Sequence, residues 1–203
     1  MEVYHLYSGG KDSSLAAYIL SRLGYNVILV TINFGLLDSW KYAKETAERL
    51  GFKHKVVPLD QSILEIAAEM CIKDGHPNNA IQFIHEKALE EVAKLEYVER
   101  ISDGTRRDDR VPLLDQRKTR SLEDRFNVQY IRPLLGLGYK TIRELTEKLF
   151  AIEVKESEKL EKSDYEVELR YLLRNKGIDP LMIFPKRHLQ SRVLGWKKER
   201  AHL

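Results

Sequence analysis

The chain has 203 residues, 43% of them hydrophobic and 32% charged, with a formal net charge of +3, a composition that predicts one globular domain with room for a small appendage. Its single cysteine excludes an internal disulfide and any metal or redox site built on paired cysteines. No apolar run reaches the roughly 18 residues of a membrane helix, and the N-terminus lacks a signal-peptide pattern, so we expect a cytoplasmic protein with no membrane contact.

Strand-like and helical segments alternate through the first 150 residues. Apolar, β-branched runs predict strands at 2–8, 26–34, 53–60, 97–105 and 127–134. Apolar residues at helical spacing predict helices at 12–23, 40–50, 62–71 and 81–95, with a further short helix after 141. Because parallel strands need helical crossovers, this order predicts an α/β fold in which a five-stranded parallel sheet carries helices on both faces.

The composition changes near residue 151, where charged residues become dense. We therefore predict a sheet domain at 1–150 and a small, charged helical extension at 151–203. Between positions 186 and 200 the extension ends in a basic tail with six basic residues, Arg192 among them, and a single acid. This tail is either a solvated helical surface or a contact for a polyanion such as a phosphate backbone.

The segment YSGGKDSS, residues 7–14, stands between the first strand and the first helix. Its glycines allow a turn with positive φ and expose backbone N–H groups, and the helix N-terminus adds further amides for an anion. It differs from the phosphate loop G-x-x-x-x-G-K-S/T because an aspartate follows the lysine. A plain capped turn is the alternative. The candidate ligand contacts are consecutive: Ser8, Gly9, Gly10, Lys11, Asp12, Ser13 and Ser14.

This motif resembles the signature of the PP-loop ATP pyrophosphatases, the adenine nucleotide alpha hydrolase-like superfamily, and the resemblance spans residues 1–145. It implies that the sheet domain binds ATP and Mg²⁺ and that a carbonyl or carboxylate oxygen is adenylated. Pyrophosphate leaves, and a nitrogen or sulfur nucleophile then displaces AMP. Lys11 and Asp12 are implied as catalytic residues, with Asp12 a metal ligand or a side chain that fixes the loop. The adenine pocket is implied at the end of the second strand, at Ile32, Asn33 and Phe34.

A second segment, SDGTRRDDR at 102–110, resembles the Gly-x-x-x-Asp-Asp motif of the same superfamily. It implies that Gly104 and Thr105 contact the nucleotide and that Gly104 lets the backbone approach it closely. The aspartates are implied as Mg²⁺ ligands or catalytic groups; the candidates are Asp103, Asp108 and above all Asp109. Arg106 or Arg107 is implied to stabilise charge on the α-phosphate, and Arg107 is the catalytic candidate. A charged surface turn with internal Arg–Asp pairs is the alternative, and the arginines before the paired aspartates depart from the usual pattern.

The acceptor is less well indicated. Arg132, in a segment similar to the Arg-Pro-Leu stretch of transfer-RNA-modifying members, and the basic tail favour tRNA as the acceptor. Two alternatives stay open: a small-molecule amidoligase, a ligase of the asparagine synthetase or GMP synthetase type, and a protein that binds ATP without turnover. The oligomeric state is also open, a homodimer included.

Three residues that could suggest a metal cluster, Cys71, His76 and His85, are better explained as a buried thiol and two ordinary histidines. The lone cysteine also disfavours the paired-thiol chemistry that thiolases commonly use. His5, within the first strand, is predicted to be a core residue.

Overall fold

The computed structural model describes residues 1–185 and 189–197. Its strands are β1 (Glu2–Leu6), β2 (Asn26–Asn33), β3 (Lys53–Pro58), β4 (Arg100–Ser102), β5 (Gln129–Ile131), β6 (Phe150–Glu156) and β7 (Leu189–Trp196). Its α-helices are α1 (Lys11–Arg22), α2 (Trp40–Leu50), α3 (Gln61–Asp74), α4 (Asn78–Ala93), α5 (Gln116–Phe126), α6 (Tyr139–Leu149) and α7 (Tyr165–Asn175), and a 3₁₀ turn spans Pro180–Met182. None of the helices in these two ranges is long and apolar enough to cross a bilayer.

Five strands form one parallel sheet in the order β3-β2-β1-β4-β5, which confirms the predicted fold class. The chain runs from β1 outward to β3 and then returns to the other side of β1 with β4. The order therefore reverses between β1 and β4, and the loops that leave these two strands open a crevice at their carboxyl ends. The glycine loop follows β1 and the second motif follows β4, so the topology brings the two motifs together.

Helices cover both faces of this sheet. On one face α3, α4, α5 and α7 bury apolar side chains such as Leu64, Ile84 and Leu169 against the strands. On the other face α1 and α2 pack through small residues, among them Ala17 and Ala47. The central strands are apolar on both sides because both sides are covered, as expected of a doubly wound parallel sheet.

The extension after residue 150 is only partly helical. The prediction of a helical extension is therefore wrong for its first and last described segments, which are strands. Helix α7 lies where the periodicity indicates a helix, but β6 and β7 pair as an antiparallel ribbon, and the basic tail contributes a strand rather than a surface helix. The ribbon packs beside α1, α2 and α6: Val193 is fully buried, and the Thr46 hydroxyl donates a hydrogen bond to the Val193 carbonyl over 3.0 Å. The tail positions 186–188 and 198–203 lie outside the described residues.

Helix α5 is missing from the sequence prediction, which has an irregular connection there. Leu122 is its only buried residue within the described structure, so the segment has almost no apolar period to detect. Strands β4 and β5 are also shorter than predicted, and the residues that follow β4, Asp103, Gly104 and Thr105, line the cavity described below.

Candidate active site

The glycine loop is shaped as an anion-binding turn. Gly9 has φ +77°, a left-handed conformation that favours glycine, and Gly10 is the N-cap residue of α1. No side chain in the described part of the chain caps this helix, whose first amides have only long contacts: Lys11 N–H lies 3.4 Å from Ser191 Oγ. The N-terminus of a 12-residue helix is thus left with donors and a positive dipole end.

Gly104 lines the candidate cavity and also packs tightly against α1, and its predicted contact with nucleotide stays a prediction. A Cβ built at this position would lie 2.9 Å from both the N and the Cα of Ser13, and 3.1 Å from the carbonyl carbon of Asp12. One close approach that requires glycine is therefore to the backbone of α1. It sets the second motif directly against the glycine loop.

His5 ties the same two segments together from beneath, and it is a core residue as predicted. Its Nε2 lies 2.9 Å from the Ser13 carbonyl, which can only accept, so Nε2 carries the proton and Nδ1 accepts from the Ser102 hydroxyl at 3.1 Å. The ring is fully buried, and this burial lowers its pKa to about 4. His5 is therefore neutral, with both nitrogens hydrogen-bonded.

Asp103 is the centre of a buried hydrogen-bond network. Its carboxylate accepts from His85 Nε2 at 2.7 Å, from the Tyr130 hydroxyl at 2.5 Å, and from both the N–H and the hydroxyl of Thr105. Burial alone would raise the pKa of Asp103, but these donors outweigh it and lower the pKa to about 2. All its acceptor positions are used by the protein, so Asp103 is not a free ligand for Mg²⁺.

His85 was discounted from the sequence, yet it lines the candidate site. With Nε2 donating to Asp103, its Nδ1 faces the Tyr165 hydroxyl at 3.4 Å. This pairing could not be predicted from the sequence, because His85 and Asp103 are 18 positions apart and no local pattern distinguishes a histidine on the inner face of α4. Thr105, predicted to contact the nucleotide, is instead a donor to Asp103.

Arg106, rather than Arg107, is the arginine that faces the glycine loop. Its Nε lies 2.9 Å from Asp109 Oδ1 and 3.6 Å from Asp12 Oδ2, and its guanidinium lies over the ring of Tyr139. Lys11 forms an ion pair with Asp12 and also faces the Tyr139 ring.

The remaining members of the second motif are turned outward. Arg107 is exposed and packs against Gly138, and Asp108 accepts a hydrogen bond from the Tyr139 N–H over 2.8 Å. These contacts fix the loop after β4 against the start of α6.

The predicted metal ligands lie on either side of Arg106. Within residues 1–185 and 189–197 no three acidic, histidine or cysteine side chains are grouped to hold a metal by themselves. Mg²⁺ in nucleotide sites commonly takes one or two carboxylates and completes its shell with phosphate oxygens and water. The pair Asp12 and Asp109 matches that donor set, and Arg106 lies within ion-pair distance of both carboxylates and of Asp108.

A cavity of about 380 Å³ opens at the carboxyl ends of β1, β2 and β4. One end is polar and includes Ser8, Asp12, Ser13 and Gly104. The other end is apolar. Its walls come from β2, α4 and the loops after β4 and α7: Val30, Ile32, Pro77, Ile81, Val111, Pro112 and Phe184. A polar end at a helix N-terminus and an apolar end suit an elongated ligand with an anionic and a flat, weakly polar part.

Of the residues predicted to surround adenine, Ile32 lines this cavity. Asn33 is used locally, since its side-chain amide donates to the Leu37 carbonyl over 2.8 Å. The N–H of Phe34 donates to Glu168 Oε2 over 2.9 Å, so it is already bound by the protein. The predicted contact of the Phe34 backbone with adenine stays a prediction, and its N–H is not available for it.

The extension completes the site in ways that the sequence did not indicate. The buried carboxylate of Glu168 on α7 accepts the N–H groups of Phe34, Leu36 and Leu37 and so fixes the turn after β2. On β7, the N–H of Val193 donates to the Gly9 carbonyl over 2.9 Å. The extension also contributes lining residues to the cavity, namely Ser163, Asp164, Tyr165, Glu166 and Gln190.

A family model described as a family of unknown function (DUF7411) matches residues 1–195, and the chain belongs to that family. An uncharacterized protein of Methanocaldococcus jannaschii is 54% identical over 200 residues, which make up 98% of each chain. A crystal structure described as a predicted subunit of tRNA methyltransferase from the same organism gives a TM-score of 0.89 at 51% identity and covers 98% of this chain and 99% of that one.

More distant similarity reaches proteins with described activities. The U34-tRNA thiolase NcsA from Methanococcus maripaludis, solved with its 4Fe–4S cluster, gives a TM-score of 0.53 at 23% identity over 72% of this chain and 56% of that one, which shows a shared fold. A tRNA-5-methyluridine(54) 2-sulfurtransferase from Pyrococcus horikoshii is 38% identical over 58 residues, 27% of this chain and 19% of that protein. The matches support the resemblance to the PP-loop superfamily without distinguishing its branches.

Proposed function

We propose that this protein is an enzyme that cleaves ATP to AMP and pyrophosphate in order to adenylate a carbonyl or carboxylate oxygen on an RNA acceptor, tRNA in particular. The observation that carries the proposal is the uncapped N-terminus of α1, with its left-handed Gly9, at the polar end of a cavity whose other end is apolar. A nucleoside triphosphate has matching parts: an anionic chain and a flat base.

In this proposal the loop amides and Lys11 bind the β- and γ-phosphates, which leave as pyrophosphate. Ile32 and the neighbouring apolar side chains hold the base. The α-phosphate then lies near Gly104 and Arg106, whose guanidinium can stabilise charge that develops there. Asp12 and Asp109 would hold Mg²⁺, which neutralises phosphate charge when bound.

The nucleophile has to come from outside this chain. Cys71 is fully buried between α3 and α4, and burial raises the pKa of its thiol to about 12, so it is neither accessible nor ionised at neutral pH. The chain has no other cysteine. Ammonia, an amine or sulfide delivered by a donor would meet the requirement. The tRNA-modifying activities named for the distant relatives support RNA as the acceptor class.

The proposal is tested with ATP labelled at the α-phosphate, incubated with Mg²⁺ and either a tRNA pool or a metabolite pool plus ammonium. We expect labelled AMP and an equal amount of pyrophosphate with tRNA, and at least a tenfold loss in a Lys11→Ala variant. A Lys53→Ala variant, at an exposed position on β3, is the matched control and should keep full activity. AMP formed only with a metabolite and ammonium would make the protein an amidoligase, and ADP as the product would refute the adenylation chemistry.

A further inference from the structure

The two positions first expected to contact RNA are engaged within the protein. Arg132 donates to the Leu114 carbonyl over 2.7 Å and lies over the ring of Tyr130. Arg192 is 6% exposed, forms ion pairs with Glu45 and Glu161, and lies over a tyrosine ring on α2. Neither guanidinium is free for a phosphodiester. Of the other basic tail residues, Lys197 is exposed, and those at 186, 187, 198 and 200 lie outside the described residues, so the predicted RNA contact of the tail stays a prediction.

Another basic surface begins at the mouth of the cavity. Arg110, Arg117 and Arg120, here called the arginine strip, are exposed, and none of them forms an ion pair with any residue in the ranges 1–185 and 189–197. Arg117 and Arg120 are one turn apart on α5 and line a shallow groove on its outer face. Arg110 lies in the loop after β4, and its two neighbours in sequence, Asp109 and Val111, line the cavity.

The acidic residues of α4 that face α5 form ion pairs with other cations of this helix, which explains why Arg117 and Arg120 have no ion-pair partner among the described residues. Lys118 and Arg125 of α5 form ion pairs with Glu86 and Glu90 of α4, both at 2.5 Å, and Arg125 also borders the groove. These two cations and buried Leu122 attach α5 to the body of the protein. Asp124 lines the same groove, but among the described residues no acid lies within ion-pair distance of Arg117 or Arg120.

The loop that carries Arg110 is held on its β4 side by the Arg106 N–H, which donates to Asp109 Oδ2 over 2.7 Å, and it is also held on its α5 side. The Leu113 N–H donates to the Gln82 side chain over 2.8 Å, and Asp115 caps α5 by accepting the Lys118 N–H over 2.7 Å. An anionic strand lying along the strip would reach the cavity mouth at Arg110.

We propose that the arginine strip binds the phosphodiester backbone of the RNA acceptor and directs one of its nucleotides to the cavity. This proposal rests on the proposed function for the identity of the acceptor. Guanidinium groups bind phosphate through paired N–H donors, which suits exposed arginines without partners. An acidic protein partner is disfavoured, because the outer face of α5 offers no exposed apolar side chain to act as an anchor.

The test is binding of labelled tRNA, followed by fluorescence anisotropy over a series of salt concentrations. The strip variant is Arg110→Gln/Arg117→Gln/Arg120→Gln. The matched control is Lys53→Gln/Lys55→Gln/Lys73→Gln, which removes the same charge at exposed sites on β3 and α3. Because each phosphate contact contributes roughly 0.7 to 0.9 to the slope of log affinity against log salt, the strip variant should lose about 2 to 3 from this slope and at least tenfold in affinity. The control variant should keep most of the salt dependence and most of the affinity for tRNA.

Binding of ATP is measured in parallel, so that the two proposals can fail separately. We expect ATP affinity and thermal unfolding of the strip variant to match the original protein, since its three arginines contact neither the glycine loop nor a buried acid. A strip variant that binds tRNA with unchanged affinity and slope overturns the inference. If the strip variant loses tRNA binding but the original protein never forms AMP, the inference about the strip is supported and the proposed function is refuted. ATP cleavage with no tRNA binding at low salt would refute the strip and the RNA acceptor together.

Discussion

A methyl group at position 104 tests whether the close contact between the two motifs organises the site. In Gly104→Ala the new Cβ would lie 2.9 Å from the N and Cα of Ser13, distances that Cβ atoms do not adopt. The atoms it meets belong to the backbone of Asp12 and Ser13, so no side chain can rotate out of the way. The loop after β4 and the first turn of α1 therefore have to move apart.

Insertion of a methyl group into a closely packed contact costs about 1–3 kcal/mol, and we expect a loss of that size in the free energy of urea unfolding. Because the displaced amides are those proposed to bind phosphate, ATP affinity should fall about tenfold, equivalent to about 1.4 kcal/mol. Gly136→Ala is the control: its Cβ would have no atom within 4 Å, so stability should change by less than about 0.5 kcal/mol. If Gly104→Ala unfolds and binds ATP as the original protein does, the contact has no organising role.

Three further predictions concern single side chains. Burial lowers the pKa of His5 from 6.5 to about 4, so between these pH values the unfolded chain binds a proton at this residue and the folded chain does not. The free energy of unfolding should therefore fall by about 3 kcal/mol as the pH drops from 6.5 to 4. Urea unfolding of His5→Gln should show a weaker dependence on pH. Glu168→Gln should lower the unfolding free energy by about 2 kcal/mol and weaken ATP binding, because three N–H groups lose an ionised acceptor, whereas Glu69→Gln on the exposed side of α3 should do neither. Arg106→Gln should slow pyrophosphate release at least tenfold and Arg107→Gln much less; equal effects would contradict the assignment of Arg106 to the phosphates.

The order of strands and helices could be predicted because burial on both faces leaves a clear apolar pattern. β2 and the helices α1 and α2 end within one or two residues of their predicted limits. The prediction failed where tertiary contacts replace local periodicity. α5 is attached by a single buried residue, Leu122, and by ion pairs to α4. β7 forms a strand because β6, 33 to 46 positions earlier in the chain, pairs with it.

The site shows the same division. The glycine loop could be identified because its chemistry resides in consecutive residues. The network around Asp103 and the hold of Glu168 on the turn after β2 could not, since their partners lie 18 to 134 positions apart. The choice between Arg106 and Arg107 likewise depends on which way each side chain leaves the loop, and neighbouring positions of the same residue type carry no signal for that.

The residues after position 150 help to form the site, although the change in composition there predicts a domain boundary. Without α7, three amides of the turn after β2 would lose their acceptor, and Leu169 and Leu173 would leave the core against which α3 packs. Without β7, the Gly9 carbonyl would lose the Val193 N–H. Since an unmet buried polar group costs roughly 1–3 kcal/mol, the extension stabilises the very turns that are proposed to bind base and phosphate. A site built in this way depends on the sheet domain and on the extension together, because α7 and β7 supply partners for the turns that follow β2 and β1.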